Sequence, residues 1–239
     1  MISIKGITSA TLTLMLGYFG SNLPASLATE FHLTQLLSSH SAIAQALTYQ
    51  FALSTSNQDT LIIPGSRVGQ VTYKTTRKDL AKLFGASRLK DGSIYGPEGI
   101  EKFSATRVNL GAEKSFTVVW SNNAKTKPTS VQDLGTAWKT PEGIGVGTSL
   151  TQLRQKLGEF KLSGLDWDYG GMVLLEKTKL SRYQGKLILR VQAAPNAANE
   201  FPNDYRFVRG NQELSSTNPH WKPLGIKVEE MIVVLNSSK

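Results

Sequence analysis

Two carboxylates flank a tryptophan in GLDWDYGG, residues 164–171, the stretch whose residue types and spacing are best suited to chemistry. If the chain is extended there, Asp166 and Asp168 point to one side and Trp167 to the other. The backbones of the two aspartates then lie roughly 6.6–6.8 Å apart. Glycoside hydrolysis requires two carboxyl groups roughly 5–9.5 Å apart. Asp166 and Asp168 are therefore candidate acid and base residues of a hydrolase, and Glu176 is a further candidate.

Two other interpretations of this stretch involve no catalysis. A calcium loop also begins with spaced carboxylates, but it takes several more oxygen ligands, and here Tyr169 and Gly170 follow instead. The interpretation we favour is a strand and turn in which Trp167 fills the core beneath a helix and Gly170 and Gly171 permit a sharp bend or bulge. The candidate binding residues are Asp166, Trp167, Asp168 and Tyr169, together with Trp138 and Trp221, which polar and proline-containing segments flank.

The rest of the chain offers few catalytic side chains. The sequence has no cysteine, which excludes disulfides, thiolate metal sites, a cysteine nucleophile and a lipidated cysteine. Of its three histidines, His32 and His40 fall in a predicted leader, so His220 is the one remaining imidazole base. It lies between Pro219 and Pro223, where a loop residue is the simpler interpretation. We expect a protein without a metal or a cofactor, and we favour a non-enzymatic protein over an enzyme.

A glycine-rich segment, GIGVGTSLTQLRQKLG at residues 143–158, is a structural signal and not a nucleotide loop. Its G-x-G-x-G pattern lacks the spacing and the preceding apolar strand of the dinucleotide fingerprint. The segment echoes VTYKTTRKDLAKLFG at residues 71–85. When Leu80 is aligned with Leu153, the following pairs also align: Val71 with Ile144, Tyr73 with Val146, Thr75 with Thr148, Phe84 with Leu157, and Gly85 with Gly158.

Each half of this repeat predicts an extended segment followed by a short amphipathic helix. Thr75 or Thr76 in the first half, and Thr148 or Ser149 in the second, are the N-cap candidates. Leucines at three- and four-residue spacings form one apolar stripe on each helix. An aligned glycine then ends each helix with a left-handed residue. Helices this short are marginal alone, so they must pack on a sheet.

Antiparallel strands are predicted after each helix. They cover residues 105–110 and 115–120 in the first half and residues 171–176 and 186–192 in the second, with a closing strand within residues 225–235. The polar segment at residues 121–135 separates the halves. The sequence therefore predicts an α+β fold of two tandem units, residues 47–135 and 136–239, each with a short helix on an antiparallel sheet. It leaves open whether the strands form one continuous sheet or two.

This arrangement resembles the small α+β repeat of the β-lactamase inhibitor protein and the small barrel-assembly lipoproteins. It is also similar to uncharacterised secreted bacterial proteins that carry a phrase such as GLDWDYGG. The resemblance covers about residues 60–192 and implies a protein that acts by binding other proteins. No functional residue carries over from it, and the chain lacks the lipid-bearing cysteine of the lipoproteins.

The N-terminus predicts export to the periplasm or the extracellular space. Lys5 precedes an uncharged stretch, and residues 1–46 form a signal peptide with cleavage after Ala46 or, alternatively, after Ala28. Cleavage after Ala46 removes Lys5 and Glu30, one charge of each sign, so the net charge stays at +9. The basic residues are scattered, so we expect a protein or an anionic envelope component as partner, not nucleic acid. The oligomeric state stays open, as does the alternative of a carboxylate hydrolase acting on envelope glycan.

Overall fold

The computed structural model describes residues 59–96, 99 and 101–235. The predicted signal peptide, both cleavage sites, His32 and His40 lie outside the described residues. All described residues belong to one compact unit. In this part of the chain, no helix combines the length and the hydrophobicity that crossing a membrane requires.

The described residues form short helices and three antiparallel sheets, so the predicted α+β class is confirmed. The strands are β1 (Ile62–Ile63), β2 (Arg67–Val68), β3 (Val71–Thr72), β4 (Leu89–Tyr95), β5 (Lys102–Val108), β6 (Phe116–Trp120), β7 (Pro128–Gln132), β8 (Lys161–Ser163), β9 (Val173–Leu174), β10 (Leu187–Gln192), β11 (Glu213–Ser215) and β12 (Lys227–Val234). The α-helices are α1 (Arg77–Phe84), α2 (Leu150–Leu157), α3 (Ala197–Glu200) and α4 (Pro202–Phe207), and 3₁₀ turns cover Ala86–Arg88, Ser181–Tyr183 and Pro219–Leu224.

The largest sheet contains strands from both halves of the sequence. Its order is β10–β12–β7–β6–β5–β4, and each neighbouring pair is antiparallel. The two halves meet where β7 pairs with β12, with Val131 opposite Val233 and Ser130 opposite Val234. Strands on the two sides of residue 135 therefore share one continuous sheet. The two smaller sheets have the orders β1–β2–β3 and β11–β8–β9.

The two helices begin as the sequence predicts. Thr76 caps α1 and exchanges hydrogen bonds with Asp79, and Ser149 caps α2 and exchanges them with Gln152. Both are capping boxes, in which the N-cap and N3 side chains satisfy backbone N–H groups that the first turn leaves unpaired. The caps are the second of the two candidates in each half, because Thr75 and Thr148 serve the preceding turn.

The turns before the two helices match each other. The Oγ1 of Thr75 accepts from the Thr72 N–H at 2.9 Å, and the Oγ1 of Thr148 accepts from the Gly145 N–H at 3.0 Å. The helix ends match in part, since Gly85 has φ +88° and Gly158 has φ +84°. Their ψ values of 134° and −155° lie outside the left-handed helical region that we predicted. Both are conformations that glycine adopts readily because it has no Cβ.

One of the two predicted hairpins forms and the other does not. β5 pairs with β6 as expected. In the second half, β9 pairs with β8 and β10 pairs with β12, so the prediction that they pair with each other is wrong. One isolated bridge, Met172 to Arg190, joins the two segments. β12 pairs with β10 along residues 187–192, whereas the segment before β9 meets β10 at that bridge, on its other edge.

Candidate functional site

Residues 164–171 form a tight turn and not the extended strand that we expected. Asp166 has φ +60°, a left-handed conformation, so Asp166 and Asp168 do not alternate along a strand. The Gly170 N–H donates to the Trp167 carbonyl at 2.7 Å, and the Gly171 N–H donates to the Gly164 carbonyl at 3.1 Å. The chain therefore turns back on itself, and the geometry on which the acid–base pairing depended is absent.

Backbone hydrogen bonds attach this turn to two other parts of the protein. The Leu165 N–H donates to the Val208 carbonyl at 2.7 Å, and the Gly210 N–H donates back to the Leu165 carbonyl at 2.8 Å. On the other side, the Val191 N–H of β10 donates to the Gly171 carbonyl at 2.8 Å. A Cβ on Gly171 would lie 2.0 Å from the Val191 carbonyl oxygen, so glycine is required for this close approach.

Asp166 is held by two side chains from a region about 40 residues further along the chain. The Tyr205 hydroxyl of α4 donates to one carboxylate oxygen at 2.8 Å. The Arg209 Nε lies 2.8 Å from the other oxygen. Burial raises the pKa of Tyr205, and the hydrogen bond and charge of Asp166 raise it further. Each carboxylate oxygen of Asp166 thus has a partner that holds it in place. The raised pKa keeps the Tyr205 hydroxyl protonated, so it can donate.

A cleft of about 320 Å³ lies beside the turn. Arg190 crosses it, donating to the Gly170 carbonyl at 3.2 Å and pairing with Glu230 at 3.3 Å. The lining carries three carboxylates and one guanidinium; Asp166 is paired with Arg209 and Glu230 with Arg190, so the unpaired charge is the negative one of Glu229. The lining residues are Leu165, Asp166, Trp167, Gly170, Arg190, Val191, Gln192, Tyr205, Glu229 and Glu230.

Two aromatic rings of the turn contact each other next to the cleft. The rings of Trp167 and Tyr169 meet edge to face, with centroids 5.4 Å apart. The Trp167 Nε1 donates to the Gly164 carbonyl at 2.9 Å. Trp167 is half-buried and Tyr169 is 38 % exposed, so Trp167 does not fill the core beneath a helix as we expected. Asp168 is exposed and is not among the residues that line the cleft.

The other two tryptophans singled out as surface candidates are buried. Trp138 and Trp221 are each 2 % exposed. The Trp138 Nε1 donates to the Lys114 carbonyl at 2.9 Å, and the Trp221 Nε1 donates to the Ser215 carbonyl at 3.0 Å. Their polar and proline-rich neighbours suggested the surface, but hydrogen bonding of each indole N–H to a carbonyl allows the whole ring to be buried. Neither ring lies on the exposed surface as we predicted, although Trp221 lines a cavity.

The remaining chemical candidates are engaged in structural contacts. The Nδ1 of His220 lies 2.8 Å from Asp204, and its ring stacks on Phe207 with centroids 4.4 Å apart. Glu176 accepts from Gln184 at 2.6 Å and lines a different cavity from Asp166. Among the described residues, no three histidine or acidic side chains are placed to hold a metal ion.

Sequence analysis missed the partners of Asp166. Tyr205 lies on α4, and Arg209 follows the end of that helix in a segment that bridges to Leu165. No local pattern in the sequence indicates that these two side chains meet Asp166. Arg190 was missed for the same reason, since its place in β10 predicts only a half-exposed strand residue.

Comparisons with known proteins give one structural neighbour. No protein-family model matches the chain, and no curated protein matches its sequence. The crystal structure of the uncharacterised protein YfeY from Escherichia coli is similar to it, with a TM-score of 0.43 and 16 % sequence identity. The similarity covers 71 % of this chain and 97 % of that chain.

Proposed function

We propose that this chain is an exported, non-enzymatic binding protein of the bacterial envelope, and that a protein partner docks on the turn at residues 164–171. The observation that carries the proposal is the contacting pair of Trp167 and Tyr169, presented on a turn beside a cleft. Aromatic side chains are enriched at the energetically dominant positions of protein interfaces.

The turn is organised before any partner arrives. Its backbone is tied to residues 208–212 and to β10, and its Asp166 carboxylate is held by Tyr205 and Arg209. Rigid surfaces of this kind lose little conformational entropy on association, which favours affinity.

The charge of the cleft favours one class of partner. Of the three carboxylates in the lining, Asp166 is paired with Arg209 and Glu230 with Arg190, which leaves Glu229. Glu229 is exposed, and no hydrogen bond or ion pair to it is found among the described residues. An anionic ligand is disfavoured next to Glu229, whereas a protein segment with a lysine or arginine next to an apolar residue would satisfy both Glu229 and the aromatic pair.

The alternative, a carboxylate hydrolase, has less support from the geometry. Asp166 is already paired with Arg209 and Tyr205, and Asp168 lies outside the cleft lining. A general acid must be protonated so that it can donate to the leaving group, whereas pairing with arginine favours the ionised carboxylate. The hydrolase remains a prediction that the Asp166→Asn variant can test on wall glycan.

The binding proposal is tested by quantitative crosslinked pull-down from the envelope fraction, with mass spectrometry. We compare the wild type, the Trp167→Ala/Tyr169→Ala double variant, and Tyr95→Ala as a matched control. Tyr95 is 67 % exposed, and it lies on β4, in a different sheet from the strands that flank the turn. A partner captured by the wild type and by Tyr95→Ala, but at least tenfold less by the double variant, supports the proposal.

Equal capture by all three proteins would contradict it. Circular dichroism and thermal unfolding must first show that the double variant is folded, since Trp167 is half-buried. Turnover of wall glycan that Asp166→Asn abolishes in a folded protein would favour the hydrolase instead.

A further inference from the structure

A second cavity, of about 430 Å³, has the opposite charge to the cleft. It lies between α2, the 3₁₀ turn at Pro219–Leu224 and the start of β12. Each of these elements contributes one cation to the lining, and the lining contains no carboxylate. The three cations are Arg154, Lys222 and Lys227.

These three side chains are exposed and lack internal counter-ions. None of them takes part in an ion pair or a side-chain hydrogen bond among the described residues. Glu159 hydrogen-bonds to Ser215, next to this region, but it is not part of the lining. Like charges around one cavity repel each other, and an anion would remove that cost.

The rest of the lining suits an anion that is attached to a larger group. The hydroxyl of Thr151 and the side-chain amide of Asn218 can donate hydrogen bonds, and the Asn218 oxygen already accepts from the His220 N–H at 3.0 Å. Trp221 and Ile226 provide an apolar floor. Ligand pockets occupy roughly 300–1,000 Å³, so this cavity has room for more than a bare ion.

We propose that the cavity of Arg154, Lys222 and Lys227 binds a phosphate group carried by an anionic envelope component. A guanidinium matches phosphate with two parallel hydrogen bonds, and lysine ammonium groups add point charges. Three cations suit a multiply charged phosphate better than a single carboxylate. This proposal rests on the proposed function in one respect, that the ligand comes from the envelope. The residues of the cavity are distinct from those of the 164–171 turn and its cleft.

Isothermal titration calorimetry with inorganic phosphate and with glycerol 3-phosphate tests the site. The cavity variant is Arg154→Gln/Lys222→Gln/Lys227→Gln. The matched control is Arg88→Gln/Lys78→Gln/Lys179→Gln, which removes the same number of arginine and lysine charges from exposed positions outside this lining. Both changes lower the net charge equally, so only the cavity distinguishes them.

We expect phosphate to bind the wild type and the control with similar affinity, and the cavity variant at least about tenfold more weakly. In ¹⁵N-correlation spectra of the wild type, phosphate should shift the amides of Thr151, Lys222 and Lys227. Equal weakening in both variants would overturn the proposal, since overall charge would then explain binding. Absence of binding at millimolar phosphate would also overturn it.

Vesicles distinguish the source of the phosphate. Binding to phosphatidic acid vesicles but not to phosphatidylcholine vesicles, lost in the cavity variant and competed by glycerol 3-phosphate, assigns the site to a lipid headgroup that carries a phosphate monoester. Binding of glycerol 3-phosphate without vesicle binding assigns it to a soluble or polymeric phosphate. If phosphate does not bind but partner capture still depends on Trp167 and Tyr169, the phosphate site is rejected and the proposed function is retained.

Discussion

Among single residues, Asp91 is an aspartate of the edge strand β4 whose carboxylate meets three partners. It receives hydrogen bonds from Thr106 at 2.6 Å and Arg77 at 3.0 Å, and Lys125 lies 3.1 Å away. Burial alone would raise the pKa of Asp91, but these contacts outweigh it and lower the pKa to about 2. Asp91 thereby ties the edge strand β4 to α1 and to the loop after β6.

This arrangement predicts a pH-dependent contribution to stability. The folded pKa of Asp91 lies below its ordinary value, so its stabilisation is present above about pH 4 and lost as the pH falls towards 2. Asp91→Asn should lower the free energy of unfolding at pH 7 by about 1 kcal/mol or less, because the partly exposed pair is screened.

Urea unfolding of wild type and Asp91→Asn at pH 7, 4 and 3 measures this effect. The difference between the two proteins should shrink over that series. Asp133→Asn is the control, since Asp133 lies 3.9 Å from Arg107 and is half-exposed. A difference that is constant from pH 7 to 3 would contradict the assignment.

Gly171 permits a second prediction at the residue scale, through comparison with Gly185. Both have similar backbone conformations, with φ +71° and φ +70°, but a Cβ on Gly185 would meet nothing within 4 Å. Gly185→Ala should therefore cost about 1–2 kcal/mol from the left-handed backbone alone. Gly171→Ala should cost more, because its Cβ would clash with the Val191 carbonyl.

Chemical denaturation of both variants gives the comparison. Gly171→Ala should also weaken partner capture, since its clash displaces the turn that carries Trp167. Equal destabilisation by the two substitutions would show that the close approach of the turn to β10 does not contribute to stability.

At the scale of elements, α1 and α2 occupy equivalent positions in the two matched segments. Leu80 and Leu153 align in sequence, and both are fully buried. Each helix has eight residues, which is too short to be stable alone, so packing must hold it in place. Leu80→Ala and Leu153→Ala should each lower the free energy of unfolding by about 2–5 kcal/mol.

Leu83→Ala is the control for this pair, because Leu83 is partly buried on the same helix as Leu80. Leu83→Ala should lower the free energy of unfolding clearly less than Leu80→Ala or Leu153→Ala. Guanidinium denaturation followed by tryptophan fluorescence measures all three. A large loss for one buried leucine and almost none for the other would show that the two helices are not equivalent in packing.

Features formed by residues that are close in sequence were predicted correctly, whereas pairings between distant segments were not. The caps at Thr76 and Ser149 were predictable because each box involves residues three positions apart. The β5–β6 hairpin was predictable because its strands follow each other closely. The partner of β10 was not, because β12 follows only after α3, α4 and β11, and no local pattern indicates which distant strand β10 meets.

At the scale of the whole molecule, two regions of opposite charge lie on one scaffold with a net charge of +9. The cleft beside residues 164–171 carries three carboxylates, and the cavity next to α2 carries three cations. Overall charge therefore does not describe what either region binds. The six-stranded sheet joins the two halves through β7 and β12, so both regions belong to a single compact unit.

The sequence by itself determined the local structure: where α1 and α2 begin, which leucines they bury, which glycines end them and where most strands of the large sheet lie. The tertiary structure alone decided that Trp138 and Trp221 are buried, that β7 meets β12, and that Asp166 meets Tyr205 and Arg209. The physical reason is range. Caps, periodicity and glycine conformation depend on residues within one or two turns of the chain, whereas burial and long-range pairing depend on which surfaces remain once all the elements have packed.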